Sequence, residues 1–207
     1  MKTLDLKKKL NLRIFAFVAL FAVAAMTTSC DKPSDDYIPE VAEDLDLKAG
    51  KAVKKGDLSI AEIALADDGE FDELVAALVY VDDSLGTGLV DMFLNGTDQY
   101  TVFAPTDSAF EALYGTLGVS AITDLDPSLV LNVLLYHVTD GRRAANSVVP
   151  KNSPRTIETL LEGASFKVDS DGKIWAVGNE AMIVMPNVSA SNGIIHVINA
   201  VILPIEV

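Results

Sequence analysis

The hydrophobic pattern of this chain changes its period once, near Gly141, and that change limits the folds open to it. Before Gly141, apolar residues recur at helical spacing. Phe71, Leu74, Val75, Leu78 and Val79 form one stripe, and Leu85, Leu89, Val90, Phe93 and Leu94 form the next, stopped by Gly96. Ser59 and Glu62, just upstream, fit a capping box at a helix start. A short extended run, Tyr100 to Ala104, is closed by Pro105. Thr106 or Ser108 can cap the helix that follows, whose apolar face is Phe110, Leu113, Tyr114 and Leu117. Asp126-Pro127 supplies an N-cap and first turn for a helix reaching about Tyr136 or Val138. After Gly141 the period is two-fold. Phe166 and Val168 enter the turn Asp169-Ser170-Asp171-Gly172, and Ile174 to Val177 return, with Asp-Gly expected to supply the positive φ angles of a tight hairpin. Ala181 to Met185 and Ile194 to Leu203 complete the β half. Helices first and strands second predict one α+β domain over residues 57–207.

With one cysteine, Cys30, no internal disulfide can form, so burial and hydrogen bonds must hold the domain together. The position of that cysteine leaves two readings, a lipid attachment point or a thiol left over near an ordinary cleavage site. Lys7-Lys8-Lys9 and Arg13 precede an unbroken apolar run from Ile14 to Met26, too short as a helix to cross a bilayer core of roughly 30 Å. A basic start, a short apolar run and small residues after it make a secretory signal over residues 1–29. Cys30 stands directly behind Thr27, Thr28 and Ser29. This stretch resembles a bacterial lipoprotein signal, which implies that Cys30 is lipidated and becomes the new N-terminus. Thr27 departs from the pattern, in which leucine is commoner at that position.

Residues 30–56 read as a flexible tether, with Pro33, Ser34, Asp35, Asp36 and Pro39 early and Lys48, Lys51, Lys54 and Lys55 late. A coil of that length reaches roughly 25–30 Å, enough to clear the headgroups. Ser34-Asp35-Asp36 is also similar to the acidic surface-export signals of Bacteroidetes lipoproteins. The expectation is attachment to the outer membrane through lipid alone, with the cell surface favoured over the periplasmic face.

The net charge is −14. Residues 1–29 carry five cations against Asp5, so removing them leaves −18 on the remainder. Such a surface repels phosphate backbones, and nucleic acid is excluded as a partner. Chemistry has little to work with. There are two histidines, His137 and His196, no Gly-x-Ser-x-Gly elbow, no P-loop and no metal-ligand spacing, so neither catalysis, a metal nor a cofactor is expected. His196 lies in an apolar strand, where a histidine is either a hydrogen-bonded core residue or a ligand. Arg142 and Arg143 form the basic pair beyond Gly141, either to receive an acidic group on a partner or to act as local counter-charges.

Three segments carry a family resemblance. Thr101-Val102-Phe103-Ala104-Pro105-Thr106-Asp107-Ser108-Ala109-Phe110 resembles the first motif of the fasciclin (FAS1) family, and Asn192-Gly193-Ile194-Ile195-His196 through Pro204 resembles the second. Leu134-Leu135-Tyr136-His137-Val138 is similar to the family's Tyr-His segment. The resemblance implies a compact β-wedge flanked by helices, without enzymatic activity, that mediates contact with a cell, a matrix protein or a glycan. It also makes Tyr136 and His137 candidate contact residues, the alternative being that both lock a helix end against the sheet. A periplasm-facing accessory subunit that binds a small ligand or a partner protein is the other functional class open to such a chain.

Overall fold

The computed structural model describes residues 54–66 and 69–206. Cys30, the signal segment and the tether up to residue 53 lie outside the described residues.

The first half is helical, for local reasons. Helix α1 (Ile60–Ala66) opens on the capping box expected for it: Glu62 N donates to Ser59 Oγ at 3.2 Å, and Ser59 N donates to Glu62 Oε2 at 2.8 Å. Helix α2 (Asp72–Leu85) ends at Gly86, which adopts the left-handed conformation at φ 66°. The second apolar stripe is therefore divided: Leu85 closes α2, and α3 (Leu89–Asn95) begins separately after Gly88. Asp82 makes that break possible. Its carboxylate accepts from Leu89 N at 2.9 Å and Val90 N at 2.8 Å, capping α3 from the last turn of α2, with Thr87 Oγ1 also bonded to it. Burial alone would raise this carboxyl's pKa, but the Thr87 and backbone bonds outweigh it and the net shift is downward. Asp82→Ala removes both bonds, and a loss of about 1–2 kcal/mol is expected in urea unfolding.

Strand β1 (Tyr100–Pro105) is buried along its whole length. Helix α4 (Asp107–Leu117) follows, its start satisfied by Thr106 Oγ1 accepting from Ala109 N. A 3-10 turn (Ile122–Asp124) leads to α5 (Pro127–Tyr136), where Asp126 accepts from Ser128 N at 2.9 Å and Leu129 N at 3.1 Å. Asp107 does something local reasoning did not reach. Its Oδ1 accepts from Glu73 N at 2.9 Å, so it caps α2 across the fold and not its own helix.

Beyond α5 come β2 (Val138–Asp140), the short α6 (Ala145–Val148), β3 (Arg155–Glu158), β4 (Ser165–Val168), β5 (Lys173–Trp175), β6 (Glu180–Ser189) and β7 (Gly193–Ile198). The last strand stops at Ile198, shorter than the apolar run reaching Leu203. The hairpin between β4 and β5 also differs from the tight two-residue form. Gly172 has φ 80°, and Asp171 is not among the positive-φ residues, so a four-residue turn with one left-handed position joins the strands.

The strands form one ladder in the order β2-β1-β7-β6-β5-β4-β3. β1 and β7 pair in parallel, Thr101 opposite Ile194 and Phe103 opposite His196, while the other pairings are antiparallel. β6 changes register on either side of Met185, and Asn187 there has φ 67°. Such bulges bend a strand and split the sheet into two faces that can enclose a core. Two cores result. One lies between the helices and the β2-β1-β7 part and includes Phe71, Val81, Phe93, Phe110 and Val130. The other fills the wedge with Phe103, Tyr136, Ile157, Phe166, Ile174 and Ile198. Helices on one side of a mixed sheet make this the α+β domain expected from the two periods.

Candidate functional site

Tyr136 and His137 close α5 at the seam between the two cores. Helix α5 is apolar nearly all round, which suits an element packed on several sides. Tyr136 is fully buried. Its hydroxyl donates to Ser165 O at 2.9 Å, and its ring meets Phe166 edge-on at 5.7 Å. His137, also buried, uses both ring nitrogens: Nδ1 donates to Val133 O at 2.7 Å, and Nε2 accepts from Ile202 N at 3.0 Å. The pair thus ties the helix end to β4 on one side and to the C-terminal segment on the other. A partner could reach either ring only after those segments moved away, so this geometry gives both residues a packing role.

His196 is arranged in the same way. It is fully buried in β7, where Nδ1 accepts from Asn187 N at 3.2 Å and Nε2 donates to Arg143 O at 2.9 Å. The Asn187 bond explains the positive φ of that residue, whose Oδ1 also accepts from Ala145 N at 2.7 Å. Burial, stronger than the helping bond from a backbone carbonyl, holds each imidazole down to about 4. Both rings are therefore neutral at pH 7, with each lone pair already committed to a backbone N–H. A general base needs that lone pair free.

The two arginines part company. Arg142 turns inward: Nη1 donates to Ala190 O at 2.8 Å and to Gly193 O, and Nη2 to Ser189 Oγ and Lys54 O. It staples the turn before β7 to residue 54, work that neither sequence reading of the pair assigned to it. The backbone of Arg143 donates to Thr101 Oγ1 at 2.8 Å, and its Nε to Asp140 O at 3.0 Å. The Arg143 guanidinium keeps its two terminal nitrogens without a hydrogen bond among the described residues.

The motif residues make their contacts within the fold. Thr101 Oγ1 donates to Gly141 O at 2.6 Å, Phe103 is fully buried, and Pro105 ends β1 opposite Ile198. Phe110 is buried beside Tyr114. Asn192 does more than turn the chain. Its Oδ1 accepts from Ile60 N and its Nδ2 donates to Phe93 O, both at 2.8 Å, joining α1 to α3. Gly193 is required for space, not for φ. A Cβ there would sit 2.2 Å from Tyr100 O and 2.7 Å from Ile60 Cδ1. Gly193→Ala must push the β1–β7 ladder apart, and a cost of about 1–3 kcal/mol should appear as a lower thermal midpoint.

Two apolar clefts flank His137. One lies among α1, α2, α3 and α5. The larger runs between α4 and α5 under the C-terminal segment, lined by Phe110, Leu113, Leu117, Leu129, Val133 and Ile205 among others. Sequence periodicity could not find it, because its walls come from elements as far apart in the chain as Leu74 and Ile205.

With this geometry in hand, comparison with known proteins decides the family. The fasciclin domain model matches residues 71–204. The chain belongs to the fasciclin family. It is 33% identical over 194 residues to Protein sll1483 of Synechocystis sp., covering 93% of this chain and 96% of that one. It is 39% identical over 118 residues to Immunogenic protein MPB70 of Mycobacterium bovis, covering 56% of this chain but only 54% of that protein. Among solved structures it matches a FAS1 domain pair from the insect cell adhesion molecule Fasciclin I, with a TM-score of 0.50 at 20% identity over 67% of this chain and 46% of that one. At that identity the likeness shows the fasciclin fold alone. Among the described residues of this fasciclin domain, no cluster of His, Cys, Asp or Glu could hold a metal ion, and no single helix is long and apolar enough to cross a membrane.

Proposed function

We propose that this fasciclin protein is a non-enzymatic binding module, anchored by lipid at Cys30 on the outer membrane and displayed at the cell surface. There it contacts a protein or glycan of another cell or of a matrix. The observation that carries the reading is that the residue types best suited to chemistry are spent on the fold. His137 and His196 each have both ring nitrogens bonded in the interior, and Tyr136 is buried against β4. What such a domain offers is a rigid exterior, and surface recognition is the function a rigid exterior serves. Family membership supports the same class, and Fasciclin I, which shares the fold, is a cell adhesion molecule.

The test is proteolysis of intact cells beside lysed controls. Loss of the domain on intact cells is the expected result. Protection until lysis rules out direct adhesion and leaves a periplasm-facing accessory subunit. In parallel, Cys30→Ala should release a folded protein from the membrane fraction. An unchanged fractionation, with no acyl label on the parent protein, removes the lipid anchor from the proposal.

A further inference from the structure

Every phenylalanine and tyrosine ring from Phe71 to Phe166 is buried or half-buried, while Trp175, the single tryptophan of the chain, is 45% exposed. Leaving an indole in water forgoes one of the largest burials a side chain can offer. This indole is also held in place. Its Nε1 donates to Asp169 Oδ2 at 3.3 Å, while Asp169 Oδ1 accepts from Asp171 N at 2.9 Å and Lys173 N at 3.0 Å. Lys173 Nζ lies 3.9 Å from the ring centroid and pairs with Glu180 Oε2 at 2.6 Å. The ring is thus both exposed and preorganised, which lowers the entropic cost of binding to it.

Strand register sets Trp175 in a row. Lys167 on β4 and Glu180 on β6 stand directly opposite it, and Thr156 on β3 stands opposite Lys167. Residues paired in this way share a face of the sheet. All four are exposed, whereas the alternating Ile157, Phe166, Ile174 and Ala181 belong to the wedge core. Three inter-strand spacings make the row about 14 Å long. Among the described residues the one ion pair is that of Lys173 with Glu180, so the Lys167 ammonium has no carboxylate partner there.

We infer that this row is a binding site for a neutral extracellular glycan chain, one pyranose stacking on Trp175 with its hydroxyls bonded to Lys167 and Glu180. The chemistry of the row selects that ligand. The C–H groups along a pyranose face are weakly positive and suit the negative face of an indole. A hydroxyl both donates and accepts, so it can use a carboxylate on one side of the ring and an ammonium on the other. A charged ligand would meet a like charge on one of those sides. A protein surface closing over the row would have to desolvate Lys167, Lys173 and Glu180 around a single aromatic ring. The exposed aliphatic residues Val177 and Val184 stand outside the row and do not extend it into an apolar patch. A sugar leaves the charged groups at its rim in water. This inference rests on reading the domain as an outward-facing contact module, and it narrows the contact to a glycan.

The experiment uses the acylated full-length protein in phosphatidylcholine vesicles, with empty vesicles as control. Because Trp175 is the chain's only indole, its fluorescence reports on the site directly. The probes are five neutral hexasaccharides (cello-, malto-, laminari-, manno- and chitohexaose) beside the acidic hexagalacturonate. At least one neutral probe should shift the Trp175 emission saturably and independently of salt. By calorimetry, Trp175→Ala should weaken that binding more than tenfold, and Trp175→Phe, which keeps a ring, should weaken it less. Lys167→Ala should weaken it about fivefold with an unchanged thermal midpoint, and so decides the matter even if Trp175→Ala disturbs the hairpin. No response to any neutral probe overturns the inference, as does stronger binding of hexagalacturonate than of all five. Undiminished binding by Lys167→Ala, or by a folded Trp175→Ala, overturns it too. The proteolysis assay reports separately on the adhesion reading. Glycan binding by a protein shielded in intact cells would discard adhesion and keep the site, and a surface-exposed protein that binds no glycan would do the reverse.

Discussion

Lowering the pH from 7 to 5 is expected to remove about 4 kcal/mol of folding stability, about 2 kcal/mol for each of the two histidines. The direction follows from the protons bound. In the unfolded chain each imidazole titrates near its ordinary value of 6.5, whereas the fold holds each to about 4. Between those values the unfolded state binds protons that the native state refuses, so stability is full above about 6.5 and is lost as pH falls toward 4. The geometry gives the reason. A proton on His137 Nε2 would face the Ile202 N–H, and one on His196 Nδ1 would face the Asn187 N–H. Glu62, Asp82 and Asp169, whose values are lowered, also lose stabilising contributions in acid, but at lower pH. Urea unfolding at half-unit steps should therefore show a decline that begins above pH 5. A free energy flat from pH 7 to 5 would mean that the imidazoles are not held as described.

The second large effect is expected from Phe103→Ala, at about 3–5 kcal/mol. Phe103 lies fully buried in β1, edge-on to Phe166 at 5.0 Å and 5.5 Å from the His196 ring, and its N–H donates to His137 O at 2.9 Å. Its ring thus joins the wedge core to the strand that carries His196. Truncation leaves a cavity walled by β-strands, which cannot close without breaking ladder bonds. For a domain of this size the thermal midpoint should fall by about 10 °C. A fall of only a degree or two would mean that the wedge collapses around the cavity.

How much of this was legible in the sequence depended on distance along the chain. The capping box at Ser59, the Thr106 cap and the Asp126-Pro127 start could be read because each involves residues within a turn of one another. The division between α2 and α3 could not, because Asp82 caps a helix that begins seven residues later and so permits a break inside a continuous apolar stripe. Asp107 serving α2, Arg142 holding the turn before β7, and Asn192 joining α1 to α3 span between 34 and 132 residues. Polar residues of these types occur on any surface, and nothing in their neighbours marks them as interior. β2, β3 and α6 are too short to establish a period, and no Asp-Gly turn joins them to a neighbouring strand as one joins the equally short β4 and β5. The family motifs located these residues without indicating their partners. The larger cleft was not visible at all, being a property of how α4, α5 and the C-terminal segment meet.

The parallel pairing of β1 with β7 has a consequence for the order of events in folding. Thr101 meets Ile194 across more than ninety residues, and β7 lies between β1 and β6 in the sheet. Closing so long a loop costs entropy that local contacts do not offset, so the domain should fold in milliseconds to seconds, the pace of β-rich topologies. Until the residues of β7 are available, β1 has no β7 beside it and the two cores share no wall. The helices can form early, but the wedge is completed only once β7 has paired with both β1 and β6.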